Sequence, residues 1–551
     1  MRFNYIILIL LLLQYGFFIK AQNQDSHIFS RYSSQPKVTE LKRKQISNIP
    51  YYQPKENLKL VKSISYIDNS TLKFFPPIFN QLGNSCSQAS GIRYIFSYEI
   101  NRLRDADASL SKNVFSYHYT WNFLNGGTDV GSWYYDGYKL VKDNGVPSLV
   151  EFNDEDGLNE RTWMSGYDNY YKAMHNRIAS YSRIDAGLVS NLDIIKQYLL
   201  NHGDGSETGG LLNFSGKSSN WQMISYSGPS NTGYNYAIRN FGNGGDHAMT
   251  IVGFDDLVEI DVNSDGIIQD EERGAFIIVN SWGIGWGSQG RAYMPYKLLY
   301  KSWWNGGMGN GDHDVYMLEA KDHEPTVVAR VNLKYTSRND LWIVIGVAES
   351  ENAESQDRAK TIRIMKKQGG DFYMCGGNSE TEKTIEVGID YSDLIEKVPN
   401  AKKYFLKIKQ SPEGELGTGM VKDFTIIDYR KSRINPNLYQ SQQRNINIEP
   451  TTILTTSIRD FVGIKNKTFK NDFLVYPNPI KIGSRLNIRQ DKVKIKHIEL
   501  LTISGKVILI QNVVSKDNMI KVKIPSKISG GVCILKIHTN NNILYKKIMI
   551  Y

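Results

Sequence analysis

The chain has 551 residues, of which 41% are hydrophobic, 22% charged and 12% aromatic, a composition that suits about three or four globular domains and excludes wholesale disorder. One long apolar run near the N-terminus excludes a polytopic membrane protein, and three cysteines cannot staple a chain of this length. Residues 471–551 hold 14 Lys and Arg against 4 Asp and Glu, which accounts for the whole net charge of +10. The rest of the chain is neutral, so we expect no nucleic-acid partner.

Residues 1–21 are predicted to be a secretory signal peptide. They contain Arg2, an apolar run at 5–19 and Ala21, which we expect to be the last residue removed. An uncleaved membrane anchor is the alternative, but the run is shorter than the ~20 residues that a spanning helix needs. We therefore expect no transmembrane anchor in the mature chain. An odd number of cysteines in an exported protein also implies at least one free thiol.

Composition and periodicity divide the rest of the chain into five parts. We predict a polar leader or short pro-segment at 22–65, an α+β domain at 66–320, a β-sandwich accessory domain at 325–435, a linker at 436–470 and a small C-terminal β domain at 471–551. The leader is too polar to form a packed unit, and the linker is rich in Asn, Gln, Ser and Thr. In the α+β domain, helical spacing comes first and strand-like runs follow.

The segment 79–91 places a cysteine where helical periodicity begins. A loop of Gly, Asn and Ser residues ends at Cys86, and apolar residues recur at helical spacing after it. Unpaired N–H groups and the positive end of a helix dipole favour a thiolate at such a position. Cys86 is therefore a candidate nucleophile, although a lone free cysteine is more often a buried apolar residue.

Two later segments supply the partners that a catalytic thiol needs. His247 precedes the strand-like run 248–254, and Asn280 follows the strand-like run 275–279, so a hairpin would make them neighbours. An imidazolium stabilises a thiolate and protonates the leaving amine, and a third group fixes the imidazole tautomer. Taken singly, a core histidine and a turn asparagine explain these residues equally well. Taken together, they predict that Cys86 is a thiolate of lowered pKa supported by His247.

These three segments resemble the papain family of cysteine peptidases over residues 74–300. The resemblance implies a papain-like two-lobed peptidase domain of the α+β class. It implies that Cys86 is the nucleophile, that His247 is the acid and base, and that Asn280 orients the imidazole.

The resemblance also assigns residues around the triad. Gln81 would donate to the oxyanion together with the backbone N–H of the nucleophile, and Trp282 would shield the contact between His and Asn. Asn125-Gly126-Gly127 resembles the family's glycine strip, so the backbones of Gly126 and Gly127 would bind an extended substrate.

Some positions depart from the family pattern. Gln81 lies five residues before the nucleophile where six is usual, and Ser87 replaces the aromatic residue that follows it. Gly83 and Leu124 stand where the family has two bridged cysteines. Because both partners of the bridge are absent together, we expect the fold to be kept without it.

The interval between His247 and Asn280 contains a twelve-residue calcium-loop pattern at 261–272. Oxygen-bearing side chains stand at positions 1, 3 and 5, glycine at 6, an apolar residue at 8 and glutamate at 12. The predicted ligands are Asp261, Asn263, Asp265, the backbone carbonyl of Ile267, Gln269 and Glu272. An acidic surface loop is the alternative, and zinc is not expected because no Cys or His lies nearby. We expect structural Ca²⁺ in a loop between strands, and no organic cofactor.

Residues 472–551 resemble the C-terminal sorting domain of the Bacteroidetes type IX secretion system. The resemblance rests on Leu-Val-Tyr-Pro-Asn-Pro at 474–479 and on the strand-like segments that follow. It implies that residues 471–551 engage the type IX machinery. The protein would then be secreted, or held on the outer-membrane surface, of a Bacteroidetes-type bacterium. A basic carbohydrate-binding or adhesive module is the alternative.

The predicted function is a secreted or cell-surface cysteine endopeptidase. It would hydrolyse protein or peptide substrates through an acyl-thioester intermediate. The alternative is a catalytically impaired surface adhesin or binding protein on a peptidase scaffold, because the spacing of Gln81 and the presence of Ser87 are compatible with lost activity. Peptide hydrolysis that Cys86→Ala abolishes would distinguish the two.

Overall fold

The computed structural model describes residues 39–55, 64–155, 157–301, 307, 313–411, 417–461, 473–490, 495–502, 506–512, 519–539 and 543–551. The predicted signal peptide, residues 1–21, lies outside these ranges. Helices precede strands in the first domain and two β-sandwiches follow it, which confirms the predicted α+β class and the two β domains. No helix in the described ranges is both long and apolar enough to cross a bilayer.

The described part of the leader is packed against the first domain. Helix α1 (Glu40–Ser47) presents Ile46 to the core, and Ile49 follows it there. The expectation of an unpacked polar leader at 22–65 is therefore wrong for this part. The strongly basic composition of the helix concealed the two isoleucines that anchor it.

The first lobe of the domain is helical. It contains α2 (Cys86–Gln88), a π-helical segment (Ala89–Phe96), α3 (Ser97–Arg104), α4 (Tyr117–Leu124), α5 (Tyr134–Asn144) and α6 (Tyr167–Met174). The first three segments are consecutive, so the chain is helical from 86 to 104. Every residue of the π-helical segment is buried, and such segments inside helices are frequent at functional sites.

The second lobe is a nine-stranded sheet with two further helices. Its elements are β1 (Tyr66–Asp68), β2 (Asn176–Asp185), α7 (Leu192–Asn201), β3 (Leu212–Ser219), β4 (Gln222–Ser225), β5 (Tyr236–Asn240), β6 (Gly244–Glu259), β7 (Arg273–Val279), β8 (Arg291–Pro295), α8 (Lys297–Tyr300) and β9 (Asp314–Asp322). The strand order is β2-β9-β3-β6-β7-β8-β5-β4, and β1 pairs with β6. Strands β6 and β7 are antiparallel, with Thr250 opposite Val279. The predicted hairpin between the His and Asn segments is confirmed.

The accessory domain is a sandwich of two sheets. Its elements are β10 (Val327–Tyr335), β11 (Leu341–Ala348), β12 (Arg358–Lys366), β13 (Thr384–Asp390), α9 (Ser392–Lys397), β14 (Lys403–Gln410), β15 (Gly419–Asp428), β16 (Asn437–Gln440), β17 (Ile446–Asn447) and β18 (Thr451–Ser457). One sheet has the order β13-β10-β15-β16, with β17 on β15, and the other has the order β12-β11-β14-β18.

The predicted linker at 436–470 is wrong for its first two thirds. Strands β16 and β18 each complete one sheet of the sandwich, and Leu454 is fully buried in its core. Polar composition suggested a linker, but threonine favours strands and polar residues suit the solvent-facing side of an edge strand. Residues 462–470 lie outside the described ranges.

Buried charges join the accessory domain to the first domain. The guanidinium of Arg177, on β2, pairs with the carboxylate of Asp390, on β13. His323 Nε2 lies 2.6 Å from the same carboxylate. Burial acts to raise the pKa of Asp390, but the hydrogen bond from His323 and the charge of Arg177 lower it to about 2. One continuous apolar core spans both domains.

The C-terminal domain is a smaller sandwich with its own core. Its strands are β19 (Phe473–Tyr476), β20 (Arg485–Gln490), β21 (Ile495–Thr502), β22 (Val507–Asn512), β23 (Met519–Lys523), β24 (Gly531–Thr539) and β25 (Ile543–Ile550). The two sheets have the orders β19-β20-β23 and β22-β21-β24-β25. The buried residues of this domain form a cluster separate from the main core.

Candidate active site

Cys86 lies at the first residue of the helical run, facing the strand that carries His247. Its side chain is buried, with 1% exposure, and it forms no disulfide. The nearby backbone N–H groups of Ala248 and Ser87 act to lower the pKa of the thiol. One turn further on, Ser90 Oγ donates to the carbonyl of Met249 at 2.8 Å. The start of the helix is thus held against β6 immediately beyond His247.

The imidazole and the amide are in direct contact. His247 Nε2 lies 2.7 Å from Asn280 Oδ1, and the N–H of Ser281 donates to that same oxygen at 2.7 Å. Because the N–H of Ser281 donates to it, the side-chain atom of Asn280 that faces His247 is the amide oxygen. That oxygen can only accept, so the imidazole proton lies on Nε2. His247 Nδ1 then carries the lone pair. It is buried and has no hydrogen-bond partner among the described residues.

Aromatic rings cover this contact. Trp282 stacks on His247 with ring centroids 4.4 Å apart and an interplanar angle of 28°. Trp221 packs on the indole of Trp282 at 5.3 Å. The hydrogen bond between His247 and Asn280 is therefore shielded from water, as the sequence predicted for Trp282. The motif gave no sign of Trp221, which reaches the site from the turn between β3 and β4.

Burial opposes charge on both Cys86 and His247. Desolvation raises the pKa of Cys86 to about 11, although N–H groups of Ala248 and Ser87 act in the other direction. Desolvation also lowers the pKa of His247 to about 4, against the hydrogen bond to Asn280. The pair is therefore neutral at pH 7 in this structure. The expected thiolate of lowered pKa is not what this geometry favours, because sequence shows the helix start but not the depth of burial.

The loop that carries Gln81 is paired with the Asn-Ser-Trp-Gly segment. The N–H of Gln81 donates to the carbonyl of Ser281 at 2.7 Å, and Ser281 Oγ donates to Gln81 Oε1 at 2.5 Å. Gln81 Nε2 donates to the carbonyl of Gly83 at 2.9 Å, which leaves one amide hydrogen for another acceptor. The role of Gln81 as an oxyanion donor stays a prediction. Its loop is nevertheless fixed beside Ser281, the residue that follows Asn280.

The two glycines of the predicted strip have different surroundings. Gly126 is exposed, whereas Gly127 is buried beneath Phe372 of the accessory domain. The N–H of Gly127 donates to Asn125 Oδ1 at 2.8 Å, and its carbonyl accepts from Arg161 Nε at 3.3 Å. Substrate binding by Gly126 and Gly127 stays a prediction. Gly127 contributes only after these contacts have opened.

A pair of glycine substitutions tests the contact with the accessory domain. A Cβ on Gly127 would lie 2.3 Å from Phe372 Cε2, whereas one on Gly126 would meet nothing within 4 Å. Both residues have positive φ, so alanine costs each about 1–2 kcal/mol. We expect Gly127→Ala to lower the free energy of unfolding by about 1–3 kcal/mol more than Gly126→Ala, as measured by urea denaturation.

The double variant Gly127→Ala/Phe372→Ala checks the cause of that difference. Removing the ring should relieve the clash, so the double variant should lose less stability than the sum of the two single losses. Additive losses would contradict a contact between Gly127 and Phe372.

The predicted calcium loop connects β6 to β7, as expected. Asp261 Oδ1 accepts from the N–H of Ser264 at 2.6 Å, and its Oδ2 accepts from the N–H of Gly266 at 2.9 Å. Gly266 has φ +81°, the left-handed backbone that suits glycine at the sharp turn. Glu272 is buried, and its two oxygens accept from the N–H groups of Val262 and Gln269. A short 3₁₀ helix, not a flanking α-helix, leads into β7.

Sequence comparison identifies the C-terminal domain. Residues 474–551 match the family described as the secretion system C-terminal sorting domain. This confirms the predicted sorting domain, which is typical of type IX secretion, and indicates an exported protein. Comparison of the chain with curated proteins gives no match.

The structural neighbours of the chain are papain-like cysteine proteases. Xylellain, a cysteine protease from Xylella fastidiosa, is 18% identical with a TM-score of 0.34, and the match covers 52% of this chain and 96% of that one. Digestive procathepsin L 3 of Tenebrio molitor is 15% identical with a TM-score of 0.34, covering 53% and 79%. The bromelain protease from Ananas comosus is 15% identical with a TM-score of 0.29, covering 46% and 99%.

Proposed function

We propose that this protein is a secreted cysteine endopeptidase that cleaves protein or peptide substrates with Cys86, His247 and Asn280. One observation carries the proposal: His247 is fixed by Asn280 at 2.7 Å through Nε2, while its Nδ1 is buried and has no hydrogen-bond partner among the described residues. A core histidine would be expected to satisfy both nitrogens. An unpaired basic nitrogen on the strand against which the start of the Cys86 helix is held suits a general base.

The reaction begins from the neutral pair. As Cys86 Sγ attacks the substrate carbonyl carbon, the thiol proton passes to His247 Nδ1. The oxyanion that forms is held by the backbone N–H of Cys86 and by the remaining amide hydrogen of Gln81. The imidazolium then protonates the leaving amine, and the C–N bond breaks to give an acyl-thioester.

Hydrolysis of the thioester completes the cycle. His247 Nδ1 takes a proton from water, the hydroxide attacks the acyl carbon, and the C–S bond breaks. The sulfur regains the proton from the imidazolium, so the enzyme returns to its starting form and the product is a carboxylic acid. Asn280 and Trp282 keep the ring oriented through both steps.

Cys86→Ala tests the proposal. In the full chain, this variant should show no peptide hydrolysis above background on a quenched fluorescent peptide or on denatured casein, while its thermal unfolding resembles that of the wild type. Hydrolysis that persists in the variant would refute catalysis by Cys86. Absence of hydrolysis in the wild type, combined with binding of a protein ligand, would favour the adhesin alternative.

The sorting domain indicates where in or outside the cell the proposed peptidase would act. Residues 471–551 are proposed to engage the type IX machinery, which would deliver the enzyme to the medium or the outer-membrane surface of a Bacteroidetes-type bacterium. Substrates would then be proteins or peptides outside the cell.

Calcium is proposed as a structural ion in the loop between β6 and β7. The donor set is chemically suitable, because carboxylate, amide and carbonyl oxygens are the ligands that Ca²⁺ prefers. Asp261, Asn263, Asp265, the carbonyl of Ile267, Gln269 and Glu272 would hold it. The set contains three carboxylates, those of Asp261, Asp265 and Glu272. Their oxygen atoms do not all lie within 4.8 Å of one another in the structure. Calcium would therefore have to tighten the loop.

Calcium should accordingly raise thermal stability more than it changes the chemical step. Because the loop joins the strands that bear His247 and Asn280, ordering it stabilises the hairpin on which they meet. Binding should add about 2.7 kcal/mol at a hundredfold excess of Ca²⁺ over Kd. Differential scanning calorimetry with added CaCl₂ and with a chelator measures the effect.

Loop variants provide the controls for this prediction. Asp261→Ala/Glu272→Ala should abolish the calcium-dependent rise in Tm while leaving Cys86 open to alkylation. Asp270→Ala removes an exposed carboxylate at a position that the pattern does not use and should keep the rise. A Tm that responds to neither calcium nor chelator would mean that the loop is only an acidic insert.

A further inference from the structure

We propose that the sorting domain binds one Zn²⁺ ion through His497, Glu499 and His538. Among the residues that the structure describes, these are the ones whose ligand-type side chains converge as a group of three, with one donor atom from each within 4.8 Å of the other two. The site lies in a different domain from Cys86, so a test of zinc binding does not depend on whether the protein is a peptidase.

Two paired strands hold the three side chains. His497 and Glu499 are two residues apart on β21 and share one face of the sheet. His538 lies on β24, directly opposite His497 in the antiparallel register. The intervening Ile498 and the preceding Ile537 are fully buried in the domain core. The cluster therefore occupies the outer face, where an ion can enter without unfolding the sandwich.

The donor atoms are spaced as ligands of one ion. Glu499 Oε1 lies 3.3 Å from His497 Nε2 and 2.9 Å from His538 Nε2. A tetrahedral zinc ion with bonds of about 2.0–2.2 Å separates neighbouring ligand atoms by about 3.3–3.6 Å. The separation from His497 is within this range and that from His538 is shorter, so a small outward shift of one side chain would complete the site.

His538 Nε2 is the atom that most needs an explanation. It is buried and makes no hydrogen bond to any described residue, although Glu499 Oε1 is only 2.9 Å away. The carboxylate oxygen must therefore lie off the axis along which the ring nitrogen donates or accepts. His538 Nε2 and Glu499 Oε1 therefore lie close together without bonding to each other, as two ligands of one metal ion do.

The surroundings orient the carboxylate and suit the metal. Lys536 Nζ donates to Glu499 Oε2 at 3.0 Å, which fixes the carboxylate and leaves Oε1 turned toward the rings. The rings of His497 and His538 stack with centroids 3.7 Å apart, so the two imidazoles lie side by side. Two imidazole nitrogens and one carboxylate oxygen suit Zn²⁺, with water as the fourth ligand. A bound ion would cross-link β21 to β24.

Zinc titration of the full chain tests this site. The Cys86→Ala background removes the catalytic thiol, which could otherwise bind zinc. Equilibrium dialysis against ZnCl₂ at neutral pH should show one equivalent whose Kd rises by at least about 100-fold in His538→Ala and in His497→Ala. Lys521→Ala, an exposed substitution on the other sheet of the domain, should leave the Kd unchanged.

A second readout separates ligation from damage to the fold. Co²⁺ in place of Zn²⁺ should give the visible absorption of a tetrahedral site in the Cys86→Ala parent and not in His538→Ala. Glu499→Gln keeps the size of the side chain, so it should fold normally and still weaken binding. Equal stoichiometry and Kd in the parent and in the three ligand variants would overturn the proposal, as would a zinc-induced rise in Tm that Glu499→Gln does not reduce.

Discussion

Replacing His247 with alanine is expected to lower kcat/KM for peptide hydrolysis by at least about 10⁴-fold. The thiol of Cys86 is neutral because burial raises its pKa to about 11, so it needs an adjacent base at the moment of attack. The unpaired Nδ1 of His247 is the proposed base, and its loss would remove both the proton acceptor and the acid for the leaving amine. Initial rates on a fluorogenic peptide measure the effect.

Asn280→Ala is the matched comparison. It should lower kcat/KM less than His247→Ala does, because the ring of His247 also stacks on Trp282 at 4.4 Å and remains partly oriented. Equal losses in the two variants would mean that the amide does more than orient the imidazole. A His247→Ala enzyme with nearly wild-type activity would contradict the proposed base.

The pH dependence of Cys86 alkylation tests the charge state of the pair. Thiolate reacts with iodoacetamide and thiol does not, so a raised pKa predicts slow alkylation near neutral pH and a rise only in alkaline solution. The same profile is expected for His247→Ala, because the neutral imidazole contributes no charge. A fast plateau at neutral pH that His247→Ala removes would instead establish a resting ion pair.

The hairpin that carries the segments of His247 and Asn280 was predictable because its signals are local. The strand-like runs after His247 and before Asn280 have lengths that suit paired strands, and the twelve-residue loop between them has its own pattern. Pairing of β6 with β7 follows from that proximity in sequence. The two residues meet at 2.7 Å because Thr250 pairs with Val279, which brings the start of β6 close to the end of β7.

Features built from distant segments were not predictable. Phe372 covers Gly127 from more than two hundred residues away in sequence, and nothing in the Asn-Gly-Gly segment marks that contact. Burial of Cys86 depends on the entire interface between the helical lobe and the sheet. The expected thiolate rested on the helix start and on the partnering histidine, whereas desolvation is the larger influence on the pKa of Cys86.

The error in the predicted linker at 436–470 also arose from contacts between segments that are distant in sequence. The polar segment after 436 gave little hydrophobic signal, yet Leu454 suffices to bury β18 against the sandwich. The cluster of His497, Glu499 and His538 was also missed, because its members come together only when β21 pairs with β24. Sequence spacing places two of the three on one face, but the third is 39 residues further on.

Truncation of the chain at about residue 470 is expected to abolish secretion and leave peptidase activity intact. The sorting domain has a core of its own, separate from the one that the peptidase and accessory domains share. Removing it exposes none of the buried side chains around Cys86, so the truncated enzyme should keep its kcat/KM and its main unfolding transition.

Cell fractionation of the truncated protein measures the other half of this prediction. Without residues 471–551 the protein lacks the sorting domain that the type IX machinery recognises. The truncated protein should therefore accumulate in the periplasm, whereas the full chain should reach the medium or the cell surface. Full-length Lys521→Ala, which alters one exposed lysine of the domain, serves as the control and should be exported. Wild-type levels of the truncated protein outside the cell would refute the sorting role. Loss of peptidase activity in the truncated protein would instead show that the catalytic lobes depend on the C-terminal sandwich, despite their separate cores.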